Sequence, residues 1–222
     1  MALIIYGSNV SPFVRKVRVV LAEKGQAYTL EPVNPFTPPP EFLAISPLKR
    51  IPVLRDTEVA EPNTLPDSSI ICDYLEHKFP TPALYPKDAF ARGRALWFEE
   101  YADSIVAATV GTGLFFERVV KRMLRQQPDE AVCQKTLGEK LPPLLDYLNR
   151  ELMGREYLVG DAFSIADISV GTMFVNFAHA GETIDAGRWA DLAAFVARVH
   201  ARPSFKALID EESPLVSRFR AA

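Results

Sequence analysis

Ser11 has the setting that chemistry would need: it stands directly before Pro12 and a run in which Phe13, Val17, Val20 and Leu21 recur at helical spacing. A serine there caps a helix, and proline suits the first helical position, where its missing N–H costs nothing. Gly25 then ends the helix, as a residue with ready access to positive φ. A helix start presents unpaired N–H groups and the positive end of the helix dipole. An anion beside Ser11, such as a thiolate, would be stabilised by both. The same serine can equally do no more than cap, and this stretch alone leaves the two readings open.

The other reactive side chains are spaced in ways that exclude familiar sites. His77, His179 and His200 have no i,i+4 partner and no ligand cluster beside them, so no metal site is expected, and the histidines read as solvated or capping residues. Cys72 and Cys133 lie far apart inside helical patterns and outside any Cys-x-x-Cys, which suits buried free thiols better than a disulfide framework. There is no Gly-x-Ser-x-Gly and no P-loop, and Gly111-Thr112-Gly113 lacks the strand-turn-helix setting of a dinucleotide site. The net charge of -3 comes from 25 basic and 28 acidic residues without a basic block, so nothing recruits nucleic acid. MALIIYG is short for a secretion signal and has no basic flank, and the nearly apolar run 105–116 is short of a bilayer span. The expectation is a cytoplasmic chain with neither membrane nor nucleic acid as partner.

The elements that must position Ser11 divide the chain in two. Its 222 residues suit two domains, and 13 of the 18 prolines lie at or before Pro86, so short elements come first and long helices after. The division expected is residues 1–80, a linker at 81–88, and 89–222. The first part reads as strand (Leu3 to Tyr6), helix (Pro12 to Lys24), strand (Tyr28 to Val33), a proline-rich loop (Pro35 to Pro40) and a short helix near Glu41 to Ile45. A strand at Pro52 to Arg55, a short strand at Thr64-Leu65 and a helix from Ser68 to Lys78 complete it. The order βαβαββα is a thioredoxin-like α/β arrangement.

The second part reads as all-α. A helix from Asp88 is expected to break at Gly111-Thr112-Gly113 and resume over Leu114 to Leu124. A further helix reaching Met153 should be kinked or split by Pro142 and Pro143. Phe163 to Ser169 is a helix start with Ser164 as N-cap, Asp167 as the capping-box acid and Phe163 placed to staple onto Ile168. Asp167 is therefore read as structural, and its helix should run to about Ala180. Shorter helices over Arg188 to Ala201 and Pro203 to Glu211 close the domain.

Four segments in this order, SPFVRKVRVVLAEKG (11–25), KRIPVL (49–54), PDSSIICDYL (66–75) and GDAFSIADIS (160–169), resemble the cytosolic glutathione transferases over nearly the whole chain. The likeness is to serine-type, bacterial-looking members similar to the tau, zeta and theta-like groups. It implies that Ser11 donates a hydrogen bond to the sulfur of glutathione, the co-substrate. It implies a cis peptide at Ile51-Pro52, with the backbone before the proline pairing with the cysteinyl part as an added strand would. Asp67 and Ser68 would hold the γ-glutamyl ammonium and carboxylate, a role compatible with capping the helix that starts there. Lys49 and Arg50 are the nearest cations for the glycyl carboxylate, with a plain surface role as the alternative. Tyr6 is the rival of Ser11, because tyrosine-type relatives keep their phenol near that position; Ser8 and Asn9 are weaker loop candidates.

The activity implied is attack of the glutathione thiolate on an apolar electrophile held between the domains, with Phe13, Phe36, Tyr101, Phe115 and Phe116 as candidate walls and a homodimer as the assembly. Glutathione-dependent peroxidase or isomerase action on the same site is one alternative. A non-catalytic partner-binding protein of the same fold is the other. The absence of cysteine at position 11 argues against mixed-disulfide chemistry.

Overall fold

The computed structural model describes residues 2–220. The chain forms two compact units that divide between Leu84 and Tyr85.

The first unit is a four-stranded mixed sheet with helices on both faces, in the strand order β2-β1-β3-β4. β1 (Leu3–Gly7) lies parallel to β2 (Thr29–Pro32), with Ile4 opposite Thr29, and antiparallel to β3 (Val53–Asp56), with Tyr6 opposite Val53. β4 (Thr64–Pro66) closes the edge, with Leu65 opposite Leu54. Leu3, Ile5 and Gly7 alternate inward along β1, as a half-buried strand should. At Gly7 a Cβ would lie 2.4 Å from Val14 Cγ2, so only glycine lets the end of β1 come this close to α1 (Pro12–Glu23). That contact fixes where α1 starts. α1 ends in a Schellman motif: Gln26 N–H donates to Leu21 O at 2.9 Å and Gly25 N–H to Ala22 O at 3.1 Å, with Gly25 at φ 64.

α1 packs against α3 (Ser68–Lys78), while α2 (Pro40–Ile45) contributes Phe42 to a separate cluster with Val33 and Val53. Buried polar groups tie α3 into place at its far end. Asp56 on β3 accepts from Tyr74 OH at 2.5 Å and pairs with Lys78. Burial pushes the Asp56 carboxyl up, but the bonds from Lys78 and Tyr74 outweigh it and hold the group below the usual carboxylate range. Lys24 Nζ, at the end of α1, donates to Phe79 O and Pro82 O at 2.7 and 2.9 Å and pairs with Glu76 at 2.7 Å.

The second unit is helical: α4 (Ala89–Tyr101), a wide-wound segment Ala102–Val120, α5 (Lys121–Met123), α6 (Glu130–Lys135), a second wide-wound segment Thr136–Lys140, α7 (Leu141–Leu152), α8 (Ile165–His179), α9 (Ala190–Ala201) and α10 (Pro203–Arg220). Three expectations are corrected here. The helix does not break at Gly111-Thr112-Gly113 but runs on to Met123. Gly113 serves close packing, because a Cβ there would sit 2.4 Å from Thr136 Oγ1. Pro142 and Pro143 neither break nor separate the helical path, since they occupy the first turn of α7 just after a wide-wound stretch in which Leu141 N–H reaches back to Thr136 O. α10 continues through Pro214 well past Glu211, with the Ser213 hydroxyl bonded back to Ile209 O.

α8 is buried along almost its whole length, which explains why its apolar residues show no single face. No helix among the described residues is long and apolar enough to cross a membrane.

Candidate active site

The site is built from two helix starts in the first unit. At α1, Ser11 is extended (φ -74, ψ 126) and its Oγ accepts from Val14 N–H at 3.4 Å, with Pro12 in the first turn. The cap bond is long, so Ser11 holds the helix start loosely. The loop ahead of it is closed by Ser11 N–H donating to Ser8 O at 3.1 Å. Ser8, Asn9 and Ser11 are all partly exposed.

At α3, Asp67 is the N-cap and its Oδ1 accepts from Ser69 N–H at 2.9 Å and Ile70 N–H at 3.4 Å. Its backbone stands at φ 78, ψ 131, far from where a residue with a side chain normally rests. Such a conformation costs about 1–3 kcal/mol and is found where a site needs it. Asp67 is exposed, whereas Ser68 beside it is only 4% exposed.

The loop before β3 carries the remaining predicted residues. Buried Ser46 accepts from Arg50 N–H at 3.0 Å and donates to Arg50 O at 2.7 Å, which stitches the loop into a tight turn with Lys49 at φ 56. Lys49 and Arg50 both lie in solvent. The Ile51-Pro52 peptide is cis. The Ile51 side chain packs on the Val33, Phe42 and Val53 cluster, so any contact it makes with a ligand falls to its main chain. Tyr6 packs on the same cluster, its ring 6.4 Å from that of Phe42 and covered by the Arg55 guanidinium at 5.5 Å.

Two matches bear on this arrangement. Residues 5–83 fit the glutathione S-transferase N-terminal domain and residues 115–212 the C-terminal domain of the same family. Glutathione S-transferase 3 of Zea mays is 34% identical over 73% of this chain and 72% of its own length. The chain belongs to the glutathione S-transferase family. A glutathione S-transferase from Methylobacterium radiotolerans, solved in complex with glutathione sulfonate, is 30% identical with a TM-score of 0.75, over 93% of this chain and 94% of that one. The chain is also similar to a protein named for another role: a stringent starvation protein A homolog of Haemophilus ducreyi is 26% identical over 91% of this chain and 87% of its own. The first unit of this glutathione S-transferase family chain has the family's thioredoxin-like fold, and the second its helical domain.

The remaining predicted residues fall as follows. Phe13 is half-buried and Phe36 is 54% exposed, while Phe115, in the second unit, is buried in that unit's interior. Tyr101 belongs to an aromatic group with Trp97 and Tyr147, and its hydroxyl pKa is pushed up to about 12 by burial and by the neighbouring Tyr147. The reading of the histidines as solvated or capping is corrected for two of them. His179 is 5% exposed with Nε2 3.0 Å from buried Glu212, and half-buried His200 meets Gly171 O at 2.9 Å. Both are held inside the second unit because α8, which carries one and packs against the other, is enclosed on every side. Among the described residues no group of three or more metal-ligating side chains comes together. Both cysteines are buried, and neither forms a disulfide among the described residues.

Asp167 is fully buried and forms the capping box with Ser164. Its oxygens accept from Leu158 N–H and Ser164 N–H, both at 2.8 Å, and from Ser164 Oγ at 3.1 Å. Burial raises its pKa to about 6 against the opposing pull of those bonds. Missed entirely by the sequence reading are Arg15 and Lys16, which are fully buried on α1. No local signal marked them: Arg15 lies in the widest gap between the apolar residues of VRKVRVVL around α1, and its burial comes from packing with elements remote in sequence.

Proposed function

We propose that this chain is a serine-type glutathione transferase, in which Ser11 and the start of α1 keep the glutathione sulfur ionised beside an apolar electrophile. The observation that carries the reading is the loosely capped start of α1, where Ser11 Oγ lies 3.4 Å from its backbone donor and still has a proton to give. A free thiol has a pKa of about 8.5, and lowering it by about 2 units takes about 2.7 kcal/mol. A hydrogen bond to a charged group supplies about 1.5–3 kcal/mol and the helix dipole about 0.3–1 kcal/mol, so the two together suffice. The nucleophile is the thiolate of glutathione, not Ser11. Sulfur forms the new bond to carbon, and the electrophile's leaving group or double bond takes the electron pair.

In this reading the first unit binds glutathione. The main chain at Ile51, before Pro52, pairs with the cysteinyl part, Asp67 takes the γ-glutamyl ammonium, and Ser68 with the start of α3 takes the γ-glutamyl carboxylate. Lys49 or Arg50 meets the glycyl carboxylate. The complex of the Methylobacterium radiotolerans relative with glutathione sulfonate supports the choice of co-substrate. Tyr6 is the weaker sulfur ligand because its ring is committed to Phe42 and Arg55. The working form is a homodimer in the cytoplasm, where the thiols of Cys72 and Cys133, which form no disulfide, stay reduced.

The test is a pH titration of bound glutathione, following the ultraviolet absorbance of the thiolate, repeated with Ser11→Ala. A bound-thiol pKa well below the free value that climbs back by about 1 unit or more in the variant is expected for a charge-assisted bond. Binding with no shift would sink the role of Ser11 and favour isomerase or peroxidase action through other groups.

The stringent starvation protein relative favours a second reading, a partner-binding protein that keeps the fold without the catalysis. Failure of the chain to be retained on immobilised glutathione would decide for it.

A further inference from the structure

Lys16 lies one turn into α1 and is 0% exposed, with its Nζ 2.9 Å from Ser69 Oγ in the first turn of α3. An ammonium group removed from water is costly, and an apolar side chain could fill the same space, so packing alone does not account for a charge there. What the charge reaches is informative. Ser69 N–H donates to Asp67 Oδ1 at 2.9 Å, and Asp67 is the residue held at φ 78. One buried side chain of α1 is thus bonded to the very turn of α3 that carries Asp67 and Ser68.

We propose that Lys16 is a positioning residue for the γ-glutamyl end of glutathione. Reaching across through Ser69, it holds the start of α3 at the distance from Ser11 that a single tripeptide can bridge. This rests on the glutathione reading above. Lys16 itself touches no reacting atom in this scheme. It keeps Ser68 and the positive end of the α3 dipole aimed at the γ-glutamyl carboxylate, and it leaves the sulfur to Ser11. A loss at position 16 is therefore felt at one end of the ligand only.

The test uses the full chain, calorimetric affinities for two ligands, and the ultraviolet thiolate titration. The ligands are glutathione and 4-aminobutyryl-cysteinyl-glycine, which lacks only the γ-glutamyl carboxylate. With Lys16→Met, glutathione affinity is expected to fall about tenfold, the size of one hydrogen bond serving a charged group. Affinity for the truncated peptide should stay within about twofold, because the contact that Lys16 organises is absent from it. The pKa of the bound thiol should not move. Ser69→Ala, which removes a single oxygen and so remains informative should Lys16→Met fail to fold, should reproduce the same selective loss. The double variant should be no weaker than the poorer single, since both break one link.

Equal weakening toward both peptides, or a shifted thiol pKa, would mean that Lys16 merely supports the fold and would overturn the proposal. So would unchanged affinity for glutathione in both variants. If the unaltered chain bound neither peptide, the glutathione reading itself would fall, and that result is separable from a failure confined to the variants.

Discussion

The starts of α3 and α8 use the same residue types to opposite ends. Each opens with an Asp–Ser combination, and in each the carboxylate accepts from backbone N–H groups. At α8 the acid lies inside the helix, fully buried, and takes bonds from Leu158 and Ser164 across a loop. Nothing can approach it. At α3 the acid is the cap residue itself, exposed and at φ 78, with bonds only to the two residues just ahead. A saturated cap in the interior stabilises the fold, whereas a strained and open one keeps an anion where a ligand can meet it.

The largest effect should come from the saturated cap. Asp167→Ala leaves two buried N–H groups, those of Leu158 and Ser164, without their acceptor. At about 1–3 kcal/mol for each orphaned donor, urea unfolding should show a loss of about 4 kcal/mol. A loss under about 1 kcal/mol would erase the contrast between the two helix starts, because the interior cap would then matter no more than an exposed one.

Acidification gives the next effect, and its sign is the reverse of the common one for carboxylates. The folded-state pKa of Asp167, about 6, lies above its unfolded value of 3.8. Between those values the folded chain holds a proton that the unfolded chain releases. The stability contributed by this group is therefore gained as pH falls through about 6, complete below the unfolded pKa, and lost as pH rises. Comparing unfolding free energies at neutral pH and near the unfolded pKa, the advantage of the wild type over Asp167→Asn should grow by about 2 kcal/mol on acidification. A constant gap would show that the carboxylate is not destabilised by burial.

The two helix starts were also unequally legible. Ser11, Pro12 and Gly25 mark the ends of α1 by local rules of capping and conformation, and Ser164 with Asp167 does the same for α8, so these elements could be read from a few adjacent residues. The strain at Asp67 could not, because its positive φ is imposed by β4 and α3 meeting there and not by the residue's own preference. Gly111 and Gly113 misled for a related reason: glycine weakens a helix locally, yet Gly113 is needed where the helix passes Thr136, a partner remote in sequence. Buried Lys16 and Arg15 escaped because lysine and arginine are almost never fully buried unless paired, and the Ser69 that Lys16 reaches is remote in sequence. Local signals located the helix starts, and only packing shows which of their polar groups are occupied.

The smallest effect is expected at the open cap, where stability and binding should move in opposite directions. Asp67→Gly removes the cost of holding a side-chain-bearing residue at φ 78, since glycine reaches positive φ freely. Against that, the variant forfeits a cap, a loss of only a few tenths of a kcal/mol when glycine is the replacement. The balance favours a chain about 1 kcal/mol more stable to urea. The same change deletes the anion proposed to meet the γ-glutamyl ammonium, so glutathione affinity measured by calorimetry should fall about tenfold. If stability and affinity fell together, Asp67 would be a structural cap like Asp167, and the distinction between the two helix starts would collapse. A more stable chain that binds less glutathione would mean that the strain at Asp67 is maintained for the ligand, because the fold by itself is better off without it.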